Sequence, residues 1–169
     1  MTKPFVAVLM GSDSDLPTMQ ATMDVLDALK IPHEVKITSA HRTPEATHAY
    51  VHDAESRGAC VFIAAAGLAA HLAGTVAGLT LKPVIGVPLD AGPLNGMDSL
   101  LSTVQMPGGI PVACVAIGKA GAKNAGYLAA QILAAADHEL AERLKLDRET
   151  NADRVLSKDA ELQQKLGHQ

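Results

Sequence analysis

Residues 39–44, SAHRTP, place a titratable ring, a fixed cation and two hydroxyl groups in one short stretch. Histidine gives and takes protons near neutral pH, so His41 is a candidate general acid and base. Arg42 carries a planar fork of donors that suits a phosphate or a carboxylate. Ser39 adds a hydroxyl group beside them. Taken alone, the stretch is more typical of a helix start capped by Thr43, with a surface histidine and arginine nearby.

A second polar loop, GSDSD at residues 11–15, directly follows an apolar run. Backbone N–H groups at a helix start, with the hydroxyls of Ser12 and Ser14, form a suitable place for a phosphate. The loop lacks the lysine of a P-loop and the spacing of a dinucleotide fingerprint, so neither ATP nor NAD is indicated. Two carboxylates would repel a phosphate, so we expect Asp15 to bind sugar hydroxyls and Asp13 to face solvent. On its own, this loop is more typical of helix capping.

A third loop, AAAGLAAHLAG at residues 64–74, has one histidine among small apolar residues. It is compatible with a close-packed strand–helix corner that buries His71, and for the loop alone this is the stronger interpretation. It is also compatible with a dry pocket around Gly67, His71 and Leu72, which would strip water from a carboxylate. The sequence by itself leaves both interpretations open.

Other candidate motifs are weaker. His48 and His52 stand four residues apart on one predicted helix, but no third ligand is spaced to join them, so no metal site is expected. The run GKAG at residues 118–121 fits a phosphate loop or a plain strand–helix turn. Neither cysteine has a neighbouring base, and there is no nucleophile elbow.

The polar loops follow predicted strands, which alternate with predicted helices. Continuous apolar runs or alternating patterns predict strands at residues 5–10, 33–37, 60–65, 83–87 and 112–117. Helical patterns lie at about 17–29, 44–57, 69–79, 98–104 and onward from 121–124. This alternation predicts an α/β fold, a three-layer flavodoxin-like doubly wound parallel sheet with strand order 2-1-3-4-5 and an extra C-terminal helical tail. Such sheets bind ligands beyond the carboxyl ends of their strands, where all three loops fall.

Length and composition set further bounds. The 169 residues predict a single domain over 1–169, with a core at about 5–136 and a helical tail at about 137–169. A net charge of −4 gives no indication of a nucleic-acid-binding protein, since such proteins usually carry an excess of basic residues. The uncharged stretch 58–81 is better explained by a buried strand, turn and helix than by a membrane span. Cys60 and Cys114 are expected to be buried free thiols, and with no signal peptide a cytoplasmic location is expected.

With these loops in view, the chain resembles the class I N5-carboxyaminoimidazole ribonucleotide mutases of de novo purine synthesis, historically the catalytic subunit of phosphoribosylaminoimidazole carboxylase. The resemblance covers roughly residues 6–144. Six blocks in order carry it: MGSDSD at 10–15, SAHRTP at 39–44, AAHL at 69–72, GMDSL at 96–100, VQMP at 104–107 and AIGKAG at 116–121.

The resemblance implies a flavodoxin-like subunit of a homo-octamer that uses no metal and no organic cofactor. It implies that a carboxylate moves from the exocyclic nitrogen of an imidazole ribonucleotide to carbon 4, through decarboxylation and recapture of carbon dioxide. It further implies roles for individual residues: His41 as general acid and base, and Ser12, Asp15, Arg42, Ser14, Ser39, Gly67, His71 and Leu72 as substrate-binding residues.

The third loop departs from the family pattern, because Ala65, Leu68 and Ala73 replace two glycines and a proline. This puts the shape of the carbon dioxide pocket in question. One alternative is a direct carboxylase acting on aminoimidazole ribonucleotide, although such relatives typically carry lysine after the catalytic histidine and lack the AAHL block. A second alternative is a non-catalytic nucleotide-binding module, which would leave His41 without a purpose.

Overall fold

A parallel five-stranded sheet forms the centre of the computed structural model, which describes residues 4–167. The strands are β1 (Phe5–Met10), β2 (His33–Ile37), β3 (Ala59–Ala66), β4 (Val84–Pro88) and β5 (Ala113–Cys114). Their order is β2-β1-β3-β4-β5, and every pairing is parallel. The predicted doubly wound, flavodoxin-like order is therefore confirmed.

A helix follows each strand, with bounds α1 (Leu16–Ala28), α2 (Pro44–Arg57), α3 (Leu72–Ala77), α4 (Met97–Val104) and α5 (Gly118–Ala134). The chain moves outward from β1 to β2 and then back across the sheet to β3. Right-handed crossovers therefore place α1 and α2 on opposite faces of the sheet. The point where the direction reverses lies between β1 and β3, and a crevice opens there at the carboxyl ends of the strands.

Two predicted elements differ from the structure. The fifth strand was expected at 112–117 but spans only Ala113–Cys114, because Pro111 lacks a donor before it and the chain turns at Gly118 (φ +70°) to begin α5 early. The third helix was expected at 69–79 but is confined to Leu72–Ala77, since residues 67–71 are used in a turn.

Small and aliphatic side chains fill the core. Phe5, Ala7 and Leu9 of β1 point to one face, where they pack in one buried cluster with Val51 of α2 and Val76 of α3. The alternate β1 residues are also fully buried, as expected for a strand covered on both faces. Few residues of the chain are aromatic, so the core is filled by small side chains, which let the backbones of neighbouring elements approach closely.

Close approach is clearest between α1 and α5. A Cβ at Gly126 would lie 2.9 Å from the Val25 Cβ and 3.0 Å from the Thr22 carbonyl oxygen, so the two helices meet at a position that only glycine fits without a shift. The Thr22 hydroxyl donates to the Ala122 carbonyl oxygen at 2.6 Å, which satisfies a fully buried polar group.

The described chain divides into two compact units, one up to Ala129 and one from Ala130 onward. The second contains the end of α5 and a long polar helix, α6 (His138–Lys165), whose start is capped by the Asp137 carboxylate accepting from the Leu140 N–H. The predicted tail helix therefore exists, with residues 168 and 169 outside the described range, as are residues 1–3. The single-domain boundary of 1–169 remains a prediction.

The two cysteines are free, but they are half-buried rather than buried as expected. Cys114 lies on the edge strand β5, which has a neighbour on one side only, and Cys60 lies near the start of β3. Burial still raises the pKa of both thiols. None of the helices within residues 4–167 combines the length and the apolar character needed to cross a bilayer.

Candidate functional site

The three loops singled out in the sequence meet at one cleft of about 460 Å³, beyond the carboxyl ends of β1, β2 and β3. This volume falls within the roughly 300–1,000 Å³ of small-molecule sites. All nine residues expected at the site line it, and the full lining is Gly11, Ser12, Ser14, Asp15, Ser39, Ala40, His41, Arg42, Ala66, Gly67, Leu68, Ala69, His71, Leu72 and Ala91.

Backbone hydrogen bonds hold the loops in register where the strands end. The Gly11 N–H donates to the Ala65 carbonyl oxygen at 3.2 Å, and the Thr38 N–H donates to the Met10 carbonyl oxygen at 2.9 Å. Each loop therefore leaves the sheet from a fixed point, and its first side chains are positioned by the sheet.

The loop after β2 is tied by Thr43, although in a different way from the one expected. Thr43 is the N-cap residue of α2, but its side chain makes no capping bond to the helix. Its hydroxyl instead accepts the Ser39 N–H at 2.9 Å and lies 3.2 Å from the Ser39 carbonyl oxygen. This closes residues 39–43 into a compact turn that presents His41 and Arg42 to the cleft.

His41 and His71 contact each other across the cleft. His41 Nε2 lies 2.7 Å from His71 Nδ1, and the rings meet edge to face with centroids 4.8 Å apart. One nitrogen must donate and the other accept, so the hydrogen bond requires at least one neutral ring. The interpretation of His71 as a buried corner residue is wrong, because its side chain is exposed to the cleft. The pair can hold and release one proton.

Arg42 bridges the first two loops. Its Nη2 donates to the Gly11 carbonyl oxygen at 2.8 Å, and its backbone N–H donates to the Ser39 hydroxyl at 3.1 Å. The guanidinium is therefore oriented while most of its five N–H donors remain for an anion.

The loop after β1 forms a capping box. The Ser12 hydroxyl accepts the Ser14 N–H, and the Asp15 carboxylate accepts the Ser12 N–H at 3.0 Å. Asp13 Oδ1 also accepts the Ser14 N–H, at 3.1 Å. The Ser12 and Ser14 N–H groups, two of the backbone donors expected to hold a phosphate, are thus used within the loop. Asp13 is exposed, as expected, and a phosphate at this loop would compete with its carboxylate for the Ser14 N–H.

Asp15 is the carboxylate that faces the cleft. Burial raises the pKa of Asp15, while the Ser12 N–H, the Ser14 hydroxyl and the Arg42 charge oppose that rise. One carboxylate oxygen accepts the Ser12 N–H at 3.0 Å, and the other lies 3.5 Å from the Ser14 hydroxyl oxygen. This second oxygen is free to accept from a ligand hydroxyl.

The third loop provides the apolar wall. A Cβ at Gly67 would lie 2.6 Å from the Ala91 Cβ, so this loop packs directly on the segment after β4. Leu68 adopts a left-handed backbone (φ +57°), which costs an L-residue with a Cβ about 1–2 kcal/mol. The family pattern has glycine here, so the substitution noted in the sequence places a leucine in a conformation that favours glycine.

Several lining residues were not predicted as site residues. Ala91 is the clearest case, since it belongs to a fourth loop and carries no polar group that a search for chemistry would detect. The proline- and glycine-rich composition of residues 88–96 was the one available signal. Ala40 and Ala66 were missed for the same reason, whereas Leu68 and Ala69 lie in the third loop, which was expected to complete the pocket.

The remaining motifs serve the frame of the site. Ser99 is fully buried, and its hydroxyl lies 2.7 Å from the Leu89 carbonyl oxygen and 2.9 Å from that of Gly96, so the GMDSL block fixes the loop before α4. The GKAG turn faces the Asp90 carboxylate at Gly118, a poor neighbour for a phosphate. Within residues 4–167, no group of three or more His, Cys, Asp or Glu side chains is placed to hold a metal ion.

Comparisons with known proteins place the chain in a family. The model of the AIR carboxylase family matches residues 5–154. The chain is 54% identical over 160 residues to the N5-carboxyaminoimidazole ribonucleotide mutase of Bacillus subtilis, covering 95% of this chain and 99% of the relative. It is 53% identical over 151 residues to the Escherichia coli K12 protein of the same name, covering 89% of each chain. A crystal structure of Treponema denticola PurE superposes with a TM-score of 0.85 at 32% identity, covering 95% of this chain and 99% of that one. The chain belongs to the AIR carboxylase family.

Proposed function

We propose that this protein is an N5-carboxyaminoimidazole ribonucleotide mutase of purine biosynthesis, an isomerase that moves the carboxylate from N5 to carbon 4. The observation that carries the proposal is the 53–54% identity to mutases of that name over most of the chain. The cleft supports it, because a proton-transferring histidine pair, an arginine and a carboxylate converge beside an apolar wall.

The ribonucleotide is held at the polar end of the cleft in this proposal. Arg42 binds the phosphate, supported by its oriented guanidinium, and Ser12 adds a hydroxyl. Asp15 accepts from the ribose hydroxyls through its less engaged oxygen. Ser14 and Ser39 complete the polar lining, with Ser39 also fixing the Arg42 backbone.

His41 carries the proton in this proposal. Breaking the N–C bond of the carbamate releases carbon dioxide, and the exocyclic nitrogen takes up a proton. Carbon 4 then forms a bond to carbon dioxide and loses its proton, so one proton passes from carbon to nitrogen overall. A base that can also act as an acid serves both halves, and His41 with its partner His71 offers such a group.

The apolar wall supports the carbon transfer. Gly67, Leu68, Ala69 and Leu72 offer no charge to the migrating group, and their small or aliphatic surfaces exclude water. A carboxylate loses carbon dioxide more readily when it is less solvated, since the charge on the carboxylate disappears in the step.

The test is turnover of the purified chain with N5-carboxyaminoimidazole ribonucleotide alone. Conversion to 4-carboxy-5-aminoimidazole ribonucleotide without ATP, unaffected by a chelator, is expected. The family description names a carboxylase, so aminoimidazole ribonucleotide with bicarbonate is the necessary comparison. Efficient carboxylation of that substrate at ordinary bicarbonate levels, with poor use of the carbamate, would contradict the mutase assignment.

We also propose a homo-oligomer, with the octamer implied by resemblance as the expected state. Two Ala-rich helical segments, 69–78 and 125–136, also favour association by their composition, but alanines such as Ala73 and Ala125 are buried within the subunit. The proposed oligomer is supported by apolar side chains exposed on α4. Met97, Leu101 and Val104 share one face of this helix and are each about half exposed. A concentration-independent monomer in light scattering would refute it. The cytoplasmic location stays a prediction, supported by the unpaired thiols.

A further inference from the structure

Leu68 combines an unusual backbone with a specific contact. Among the described residues other than glycine, a positive φ occurs at Lys30, Leu68 and Asn95. Of these, Leu68 lines the cleft, and its side chain remains about half exposed. Its conformation is one that branched apolar residues rarely adopt, so the surrounding structure must hold it in place.

The side chain of Leu68 is seated on Gly92. A Cβ at Gly92 would overlap Leu68 Cδ2, and Gly92 itself has a φ of +82°. The preceding residue makes a parallel contact, since Gly67 packs on Ala91. Two consecutive residues of the third loop therefore interlock with two consecutive residues of the loop after β4.

The seat is rigid. Ser99 ties both ends of the loop after β4 through its buried hydroxyl, which lies within hydrogen-bond distance of the Leu89 and Gly96 carbonyl oxygens. Leu68 is therefore fixed from outside its own loop, three residues before His71. Its side chain belongs to the apolar wall of the cleft and is about half exposed.

We propose that Leu68, seated on Gly92, is a positioning residue that encloses the migrating carbon during the reaction. This inference rests on the proposed mutase function. After the N–C bond breaks, carbon dioxide carries no charge, so neither Arg42 nor the histidine pair can hold it by ion pairing. Retention then depends on whether the wall is closed until the bond to carbon 4 forms.

The experiment measures loss of carbon during turnover. Carbamate labelled with ¹³C at the carboxyl carbon is converted in unlabelled bicarbonate, and the label in the product is quantified by mass spectrometry for wild type, Leu68→Gly, Leu68→Ala and Leu68→Met. We expect the washed-out fraction to rise several-fold in Leu68→Gly and Leu68→Ala and to return towards wild type in Leu68→Met. KM for the nucleotide should change little, because Leu68 makes no polar contact.

Stability separates this role from a purely structural one. Leu68→Gly relieves the left-handed strain, whereas Leu68→Ala keeps that strain, and both remove the Cγ and Cδ atoms that would enclose the carbon. Washout should therefore rise in both, although their thermal midpoints should differ, with Leu68→Gly the higher. Washout that instead follows the loss of stability would overturn the proposal.

Gly92→Ala tests the seat directly. Its Cβ displaces the Leu68 side chain, so washout should rise, and it should add little further washout in the Leu68→Gly background. Gly109→Ala is the matched control, because Gly109 has a similar φ of +93° but no atom within 4 Å of its Cβ position. Equal washout from Gly109→Ala would contradict a specific seat.

The outcomes distinguish a failure of the proposed mutase function from a failure of the inference about Leu68. Absence of carbamate conversion by the wild type would overturn the proposed function and this inference with it. Conversion by the wild type, with the same label retention in every Leu68 and Gly92 variant, would overturn the inference alone.

Discussion

Replacing His41 with asparagine should separate catalysis from binding and folding. The change removes the ring that is proposed to transfer the proton and leaves the loop anchored by Thr43 and Ser39. General acid–base groups typically contribute about 10²–10⁴-fold, which corresponds to about 2.7–5.4 kcal/mol of transition-state stabilisation. We expect kcat to fall by at least that factor, because both halves of the reaction need the proton.

The cost to folding should be much smaller. His41 loses one hydrogen bond, to His71 Nδ1 at 2.7 Å in an exposed cleft, and such a bond contributes at most about 1 kcal/mol. The thermal midpoint should therefore drop by no more than about 2–4 °C for a chain of this length. Affinity for the product nucleotide should stay near wild type, since Arg42 and Asp15 are untouched.

The assay pairs steady-state turnover with thermal unfolding and calorimetric titration of the product nucleotide. His48→Asn is the matched control, because His48 is an exposed histidine on α2 that does not line the cleft. Near-normal kcat in His41→Asn would refute the acid–base assignment. Parallel losses of stability and activity would instead indicate a structural role.

Three further predictions concern binding, acidity and packing. Asp15→Ala and Arg42→Ala should each weaken binding of the product nucleotide by about 1.5–3 kcal/mol, and unchanged calorimetric affinity in both would exclude the proposed contacts. Burial raises the pKa of Asp15, so the folded state binds its proton more tightly than the unfolded state. Stability should therefore decline as pH rises from the ordinary aspartate range through that raised pKa, and Asp15→Asn should lack this decline in urea titrations. Gly121→Ala would overlap the Ala116 carbonyl oxygen and should lose about 1–3 kcal/mol of unfolding free energy, although alanine normally favours a helix interior. Gly108→Ala, with open space around its Cβ position, should change the urea midpoint little, and equal effects of the two substitutions would contradict the close contact at Gly121.

The sheet and the position of the cleft follow from local patterns. The apolar run before Gly11 and the alternation before Thr38 predict strands, and the alternation with helices predicts the order that places their loops together. Chemistry-bearing residues then fall at the correct edge of the sheet without any knowledge of side-chain geometry.

The contacts inside the cleft could not be predicted from local patterns. His41 and His71 are 30 residues apart, and their meeting depends on the exact register of β2 and β3 against β1. The Thr43 hydroxyl could accept a backbone N–H either from the first turn of α2 or from Ser39. The structure shows the bond to Ser39, which depends on the turn at residues 39–43. Ala91 contributes only to the shape of the cleft, and the residue type alanine does not indicate such a role.

The most direct test of the central claim follows the carboxyl carbon in the wild-type protein. Carbamate labelled at that carbon is turned over in unlabelled bicarbonate, without ATP, and the label in 4-carboxy-5-aminoimidazole ribonucleotide is measured. A mutase that holds the carbon between the histidine pair and the apolar wall should retain most of the label. Extensive washout, together with efficient use of aminoimidazole ribonucleotide and dissolved carbon dioxide, would contradict the account and identify a direct carboxylase.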